Sequence, residues 1–216
     1  NIESLGYDQG PSYDSWDFTG NYNATVPEIG GYTVSIDSTG AQILQTTSFA
    51  QTKFAASGMT APDYFRSIDV QDGKPQGVQR IIPALKINVR AKIATAYVSS
   101  PIAYAKLVAG LTGTMSSVAM FGGEFAAGEL LFAGASGDVV SENPQLTFTF
   151  LASKNESSFS VGGISGITKK GHDYLWCLFD YAKDPTTGLL VSKPRAVYVD
   201  QIYGLADHTA LKIGVA

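Results

Sequence analysis

From Leu85 to Ile93 the chain alternates without a break: Leu85, Ile87, Val89, Ala91 and Ile93 fall on one side, and Lys86, Asn88, Arg90 and Lys92 on the other. A period of two is the repeat of a β-strand, so the run predicts a strand with one face in a core and one cationic face in water. Residues 78–96 are read as one long strand built around it. Pro83 has no N–H to give to a ladder, which demands a bulge or an edge position near the start of that strand.

Other segments follow the same period. Tyr32, Val34 and Ile36 alternate with Thr33, Ser35 and Asp37, and residues 41–46 are the expected hairpin partner. Residues 45–62 are rich in Thr, Ser, Ala and Gln with no period, and read as a long loop that a neighbour orders. A short strand is expected over residues 65–70, ended by the turn Asp72-Gly73. Residues 128–132, 146–152, 173–181 and 196–203 are rich in aromatic and branched side chains and bounded by Gly or Pro, which predicts further strands. One helix is expected at about residues 100–112. Ser100 serves as N-cap, Pro101 takes the first turn and Gly113 supplies the stop, while Tyr104, Leu107, Val108 and Leu111 recur at helical spacing. The expected fold is mainly β (α+β): an antiparallel barrel or sandwich of residues 31–216 with one flanking helix, preceded by an extended arm of residues 1–30. No repeat of 20–50 residues marks a propeller or solenoid.

Composition narrows the function classes. Hydrophobic residues make up 44% of the 216 and charged residues only 16%, below the usual ~25%, so a core is affordable but the surface is poor in charge and suited to partners. A net charge of −4 lacks the basic footprint of a protein that neutralises phosphates, so no sequence-specific nucleic acid is expected as a partner. Cys177 is the only cysteine, which rules out an internal disulfide and a cysteine metal cage. No apolar run nears the ~20 residues of a membrane span, and no basic stretch leading into an apolar one marks a signal peptide.

Chemistry-bearing residues are scattered. His172 and His208 are the only histidines, and no nucleophile, base and orienting group stand in a recognisable set. Ser165 lies between glycines in Val161-Gly162-Gly163-Ile164-Ser165-Gly166, yet Lys169-Lys170-Gly171 leads on to another strand where a nucleophile elbow needs a helix. Asp173, Asp180, Asp184 and His208 lack the spacing of a calcium loop or a zinc helix and read as solvated strand ends. The glycines at 122–123 and 134–137 lack phosphate-loop spacing. Cys177 sits in a strand apolar on both faces, where a thiol acts as a small hydrophobe. The reading is therefore of no catalytic, metal-binding or cofactor site, and no enzyme.

What remains points to assembly. The first 52 residues hold no Lys or Arg but six acids, Glu3, Asp8, Asp14, Asp17, Glu28 and Asp37, interleaved with Tyr7, Tyr13, Trp16, Phe18 and Tyr22. Asp8-Gln9-Gly10-Pro11 and Phe18-Thr19-Gly20-Asn21 read as turns in an extended or irregular arm. Its charge is opposite to that of Lys86, Arg90 and Lys92, with Lys74, Arg80 and Lys106 adding to the basic side. The arm either covers its own sheet or links one copy of the chain to the next, with the aromatic residues as anchors.

A resemblance adds to this. The run of residues 127–137 (AGELLFAGASG), then 146–155 (LTFTFLASKN), 167–181 (ITKKGHDYLWCLFDY) and 193–204 (KPRAVYVDQIYG) resembles proteins encoded beside the structural genes of tailed bacteriophages, over about residues 120–205. That pattern commonly has Trp at the position of His172 and Val at that of Cys177, which makes both poor candidates for shared chemistry. The resemblance implies a virion component, assembled in the host cytoplasm as a homo-oligomer with other virion proteins. It is similar in layout to a tail-tube or head–tail subunit, with a capsid decoration or cement protein as the alternative. A carbohydrate-binding β-sandwich, stacking sugars on exposed Tyr and Trp, is the alternative of another class.

Overall fold

A computed structural model describes residues 2–9, 16–22, 32–93, 98, 100–138 and 145–213. Strands β1 (Ile2–Gln9) and β2 (Trp16–Tyr22) open the chain and pair with each other in a sheet of their own. The described parts of the arm are therefore extended, one of the two alternatives, and paired with each other, while residues 18–21, read as a turn, lie inside β2. Apolar residues spaced by two, Leu5 and Tyr7 against Trp16 and Phe18, outweigh the local turn preference of Gly20 and Asn21.

Next come β3 (Tyr32–Asp37), β4 (Ala41–Gln45), β5 (Val70–Gln71), β6 (Lys74–Pro75), β7 (Val78–Ile82) and β8 (Leu85–Lys92). The expected β3–β4 hairpin does not form: β3 pairs with β8, and β4 with β7. Nor is residues 78–96 one strand. Pro83 breaks it, and β7 and β8 join different sheets. Gly40 permits the switch between sheets, because a Cβ there would lie 2.8 Å from the Ile82 carbonyl oxygen. Residues 65–70 are not a strand either, since Phe65, Arg66 and Asp69 hold φ of 51°, 66° and 50°, outside the β region. The turn at Asp72-Gly73 joins β5 to β6 as expected, with both residues at positive φ.

Helix α1 (Pro101–Leu111) starts where the sequence places it: the Ala103 N–H donates to Ser100 Oγ at 3.5 Å, and Gly113 follows the end at φ 81°. After it lie β9 (Met115–Ser116), β10 (Leu130–Asp138), β11 (Gln145–Ala152), β12 (Glu156–Val161), β13 (Ile164–Lys169), β14 (Tyr174–Lys183), β15 (Leu190–Asp200) and β16 (Leu205–Ala206). The chain is mainly β with one α-helix among the described residues.

The main sheet runs β16-β9-β10-β11-β8-β3. It ends at β3 and β16, so no barrel closes among the described residues. Its core follows from the register: Ala91, Val89 and Ile87 of β8 stand opposite Leu146, Phe148 and Phe150 of β11, and all six are buried. Leu130 and Phe132 of β10, Tyr104 and Val108 of α1, Met120, Leu211 and Ile213 complete it. Tyr104 earns its place by donating its hydroxyl to the Leu211 carbonyl at 2.9 Å, and burial pushes that phenol up to about 12. Leu107, placed by its spacing on the packed face of α1, is instead exposed, because the buried stripe narrows to Tyr104 and Val108.

Candidate functional site

Three cations share the outer face of the main sheet. Lys86, Arg90 and Lys92 alternate with the buried Ile87, Val89 and Ala91, and all three are exposed. Neighbours in the middle of that face are short and polar, with Arg90 between Thr33 of β3 and Thr147 of β11 and Asn88 between Ser35 and Thr149, while Lys86 lies between Asp37 and the exposed Leu151. Arg90 Nη2 donates to Gln145 Oε1 at 3.2 Å, and Thr149 Oγ1 donates to Asn88 Oδ1 at 2.9 Å. On this face, among the described residues, the only acid paired across from a cation is Asp37, opposite Lys86. Hydrogen bonds from Thr39 hold its carboxyl below the usual range, with the Lys86 charge a smaller help. Among the described residues none of the three cations makes an ion pair, whereas Lys53–Asp63 and Arg195–Asp180 do, at 3.5 and 3.1 Å.

Beside this face lies the edge of the sheet. In β3, Tyr32, Val34 and Ile36 stand opposite Ala91, Val89 and Ile87, on the core side, yet they are 43%, 46% and 69% exposed. Phe121 stands edge-on to Tyr32 at 5.7 Å. The sequence identifies this strand as half-buried, but all six of its residues are exposed. An edge with three large apolar residues and no Lys, Pro or bulge is undefended against strand pairing.

The aromatic residues expected at an interface divide. Tyr7 pairs with Phe18 and Gln9 with Trp16 in the β1–β2 register, while Asp8 pairs with Asp17, and Tyr22 stands opposite Ile2 at the far end. Tyr13 lies outside the described residues. Sequence reasoning missed a second apolar surface. Among the described residues the β14–β15 hairpin pairs with no other strand, and one of its faces leaves Tyr174, Trp176, Leu178 and Tyr198 exposed. Trp176 stacks on Tyr198 at 4.2 Å and donates its indole N–H to Asp200 at 2.7 Å. Each ring therefore gives one face to the other, which halves the platform a sugar would need. The long loop expected over residues 45–62 is present but runs from 46 to 69, with one isolated bridge between Thr47 and Ser67, and exposes Phe49, Phe54 and Met59.

Where that loop meets the hairpin, Asp184 is the anchor. It is buried, and its carboxylate accepts from the N–H groups of Asp63, Thr186 and Thr187 at 2.7, 3.0 and 2.7 Å and from the Thr187 hydroxyl at 3.0 Å. The Asp63 and Thr187 amides lead in holding its pKa down to about 2. The expectation of a solvated carboxylate is corrected here. Because its folded value lies below the ordinary 3.8, Asp184 contributes stability above pH ~4 that is lost as pH falls towards 2. Asp184→Ala frees three amides, so amide exchange at Thr186 and Thr187 should rise by about tenfold or more and proteolysis within residues 49–60 should quicken. Unchanged exchange would show that the anchor lies elsewhere.

The residues weighed for chemistry are far from forming one site. Ser165 sits in β13, after a two-residue hairpin turn made by Gly162 and Gly163 at φ 56° and 90°. Cys177 is half-buried, and burial pushes its thiol up, away from the thiolate. Asp180 pairs with Arg195, and Asp173 accepts from the Lys170 N–H at 2.9 Å. His172 donates Nε2–H to the Glu129 carbonyl at 3.1 Å, while Glu129 caps the amides of Ala126 and Asn155 at 2.9 and 2.8 Å. Asn155 in turn binds the Ala127 carbonyl and the Gly171 amide. This knot ties β10, β11 and β14 together at one end and occupies both Glu129 oxygens. His208, grouped by its sequence with the solvated strand ends, is instead wholly buried against Phe132 and Phe150. No cluster of three His, Cys, Asp or Glu able to hold a metal occurs among the described residues. No helix of the described residues is long and apolar enough to cross a membrane. Searched against models of protein families, curated proteins and solved structures, the chain matches none.

Proposed function

We propose that this protein is a structural subunit that assembles with copies of itself into part of a phage-like virion, as a tail-tube or head–tail component. The body would be a sandwich-like β fold, and its partners its own copies and other virion proteins. The observation that carries the reading is the sheet end at β3 and β8: among the described residues, an apolar, unpaired edge beside three exposed cations that make no ion pair. The opening segment of the same chain supplies what that end lacks, acids without any cation and aromatic residues in strand spacing. Apolar surface gives an interface its energy, and opposite charge gives it register and speed.

Charge makes the reading testable. In Lys86→Glu/Arg90→Glu/Lys92→Glu the face meets the arm as a like charge, and self-association measured by light scattering should weaken at least about tenfold. For the wild type, raising salt from about 0.1 M to about 1 M shortens the screening length from ~10 to ~3 Å and should loosen assembly in the same direction. Association indifferent to both changes would exclude this face.

A further inference from the structure

We infer that the β1–β2 hairpin of one copy adds to the free edge of β3 in a second copy, extending the six-stranded sheet across the subunit boundary. This rests on the assembly reading above and names the surface that does it. Both parts are incomplete alone. A two-stranded hairpin is at best marginal in water, and among the described residues β1–β2 has no third strand and β3, at the end of its sheet, has no outer neighbour. Their lengths match, at eight and seven residues for the hairpin strands and six for β3.

The two patterns match in parity as well. On β3, apolar Tyr32, Val34 and Ile36 take one parity, and Thr33, Ser35 and Asp37 the other, the parity of Lys86, Arg90 and Asn88 next door. On the hairpin, the pairs Tyr7–Phe18 and Gln9–Trp16 take one parity and Asp8–Asp17 the other. A strand's side-chain period of two means that one alignment sets both relations at once. With the aromatic positions on the side of Val34 and Ile36, Asp8 and Asp17 fall on the side of the cations. An added strand lies two strand spacings from β8, about 10 Å, a gap that an extended lysine and an aspartate side chain close together. The occupant is a second copy because the chain carries both halves of the match, acids and aromatic residues on the hairpin and cations beside an apolar edge at β3 and β8, and among the described residues the two are not paired with each other.

The test mixes ¹⁴N- and ¹⁵N-labelled full chains, treats the assembled sample with a zero-length carbodiimide reagent and identifies the joined peptides by mass spectrometry. Expected are Asp8 or Asp17 bonded to Lys86 or Lys92 in peptides of mixed label. In parallel, Val34→Lys/Ile36→Lys places charge on the exposed edge, where folding is undisturbed by circular dichroism, and should abolish both these cross-links and the assembly. Cross-links confined to a single label would overturn the exchange between copies. Mixed cross-links and intact assembly in the Val34→Lys/Ile36→Lys chain would overturn the edge pairing while leaving assembly through the cationic face standing. A wild-type chain that never associates removes both.

Discussion

Phe150→Ala is expected to cost the folded chain about 4 kcal/mol. Phe150 is wholly buried in β11, with ring centres 5.2 Å from Phe132, 5.9 Å from Phe121 and 6.2 Å from His208. Truncating a buried Phe removes its transfer energy and leaves a cavity, together about 3–5 kcal/mol, and three ring contacts go with it. Neighbours from β10, β11 and the turns at 121–123 and 208–211 are held by separate segments, which limits collapse into the gap. For a chain of this length the loss lowers the melting midpoint by roughly 10 °C. Leu190, 72% exposed on β15, is the control, and Leu190→Ala should change stability by less than about 0.5 kcal/mol. Denaturant unfolding of the two variants decides: a Phe150→Ala loss near that of Leu190→Ala would mean that the six-stranded sheet does not hold the core.

The second large effect is acid sensitivity from one histidine. His208 is wholly buried in a 3₁₀ turn, His208–Leu211. Thr114 Oγ1 donates to the Leu111 carbonyl at 2.7 Å, so it accepts from His208 at 3.0 Å, which places the imidazole proton on Nε2. Nδ1 meets no hydrogen-bond partner among the described residues. Protonation there would bury an unpaired charge between phenyl rings, and burial lowers the pKa to about 4, with Asp207 opposing weakly. The unfolded chain, at about 6.5, takes the proton first, so the contribution is complete above pH ~6.5, falls as pH drops to ~4, and is flat below. A shift from 6.5 to about 4 corresponds to about 3 kcal/mol. His172, also lowered mainly by burial, adds in the same direction. The carboxylates held low, Asp37, Asp184 and Asp207, act below this window. In His208→Phe most of the slope between pH 6.5 and 4 should vanish from stability curves measured by urea unfolding. A variant that keeps the wild-type slope would assign the acid loss to other groups.

How much of this was legible in the sequence depended on the range of the cause. The alternation at Leu85–Ile93 and the cap at Ser100-Pro101 are local: the first gives the strand and its faces, the second the helix and its start, though not the exposure of Leu107. Strand partnership is not local. Residues 41–46 look as good a partner for β3 as any hairpin, and only the break at Pro83 and the close approach at Gly40 send β4 to β7. Positive φ at Phe65, Arg66 and Asp69 leaves no mark in residue type, so the false strand at 65–70 had no local warning. At the candidate site, the cations and the aromatic arm were visible as opposite charges and strand spacing. The undefended edge of β3 was not, because a half-buried strand and an edge strand share one alternation. The Trp176–Tyr198 stack needed a cross-strand register between residues 22 apart in the chain. His208 was misjudged because its acidic neighbour Asp207 suggested solvent, whereas Asp207 caps the turn that carries the imidazole inward.

Sedimentation velocity of the full chain at rising concentration, with negative-stain images of the same samples, tests the central idea most directly. Discrete multi-subunit particles seen as rings or tubes, dissolved by salt and lost when residues 1–28 are deleted from a chain that still folds, are the expected result. A species that sediments as a 22.8 kDa monomer at every concentration, with or without those residues, would contradict it.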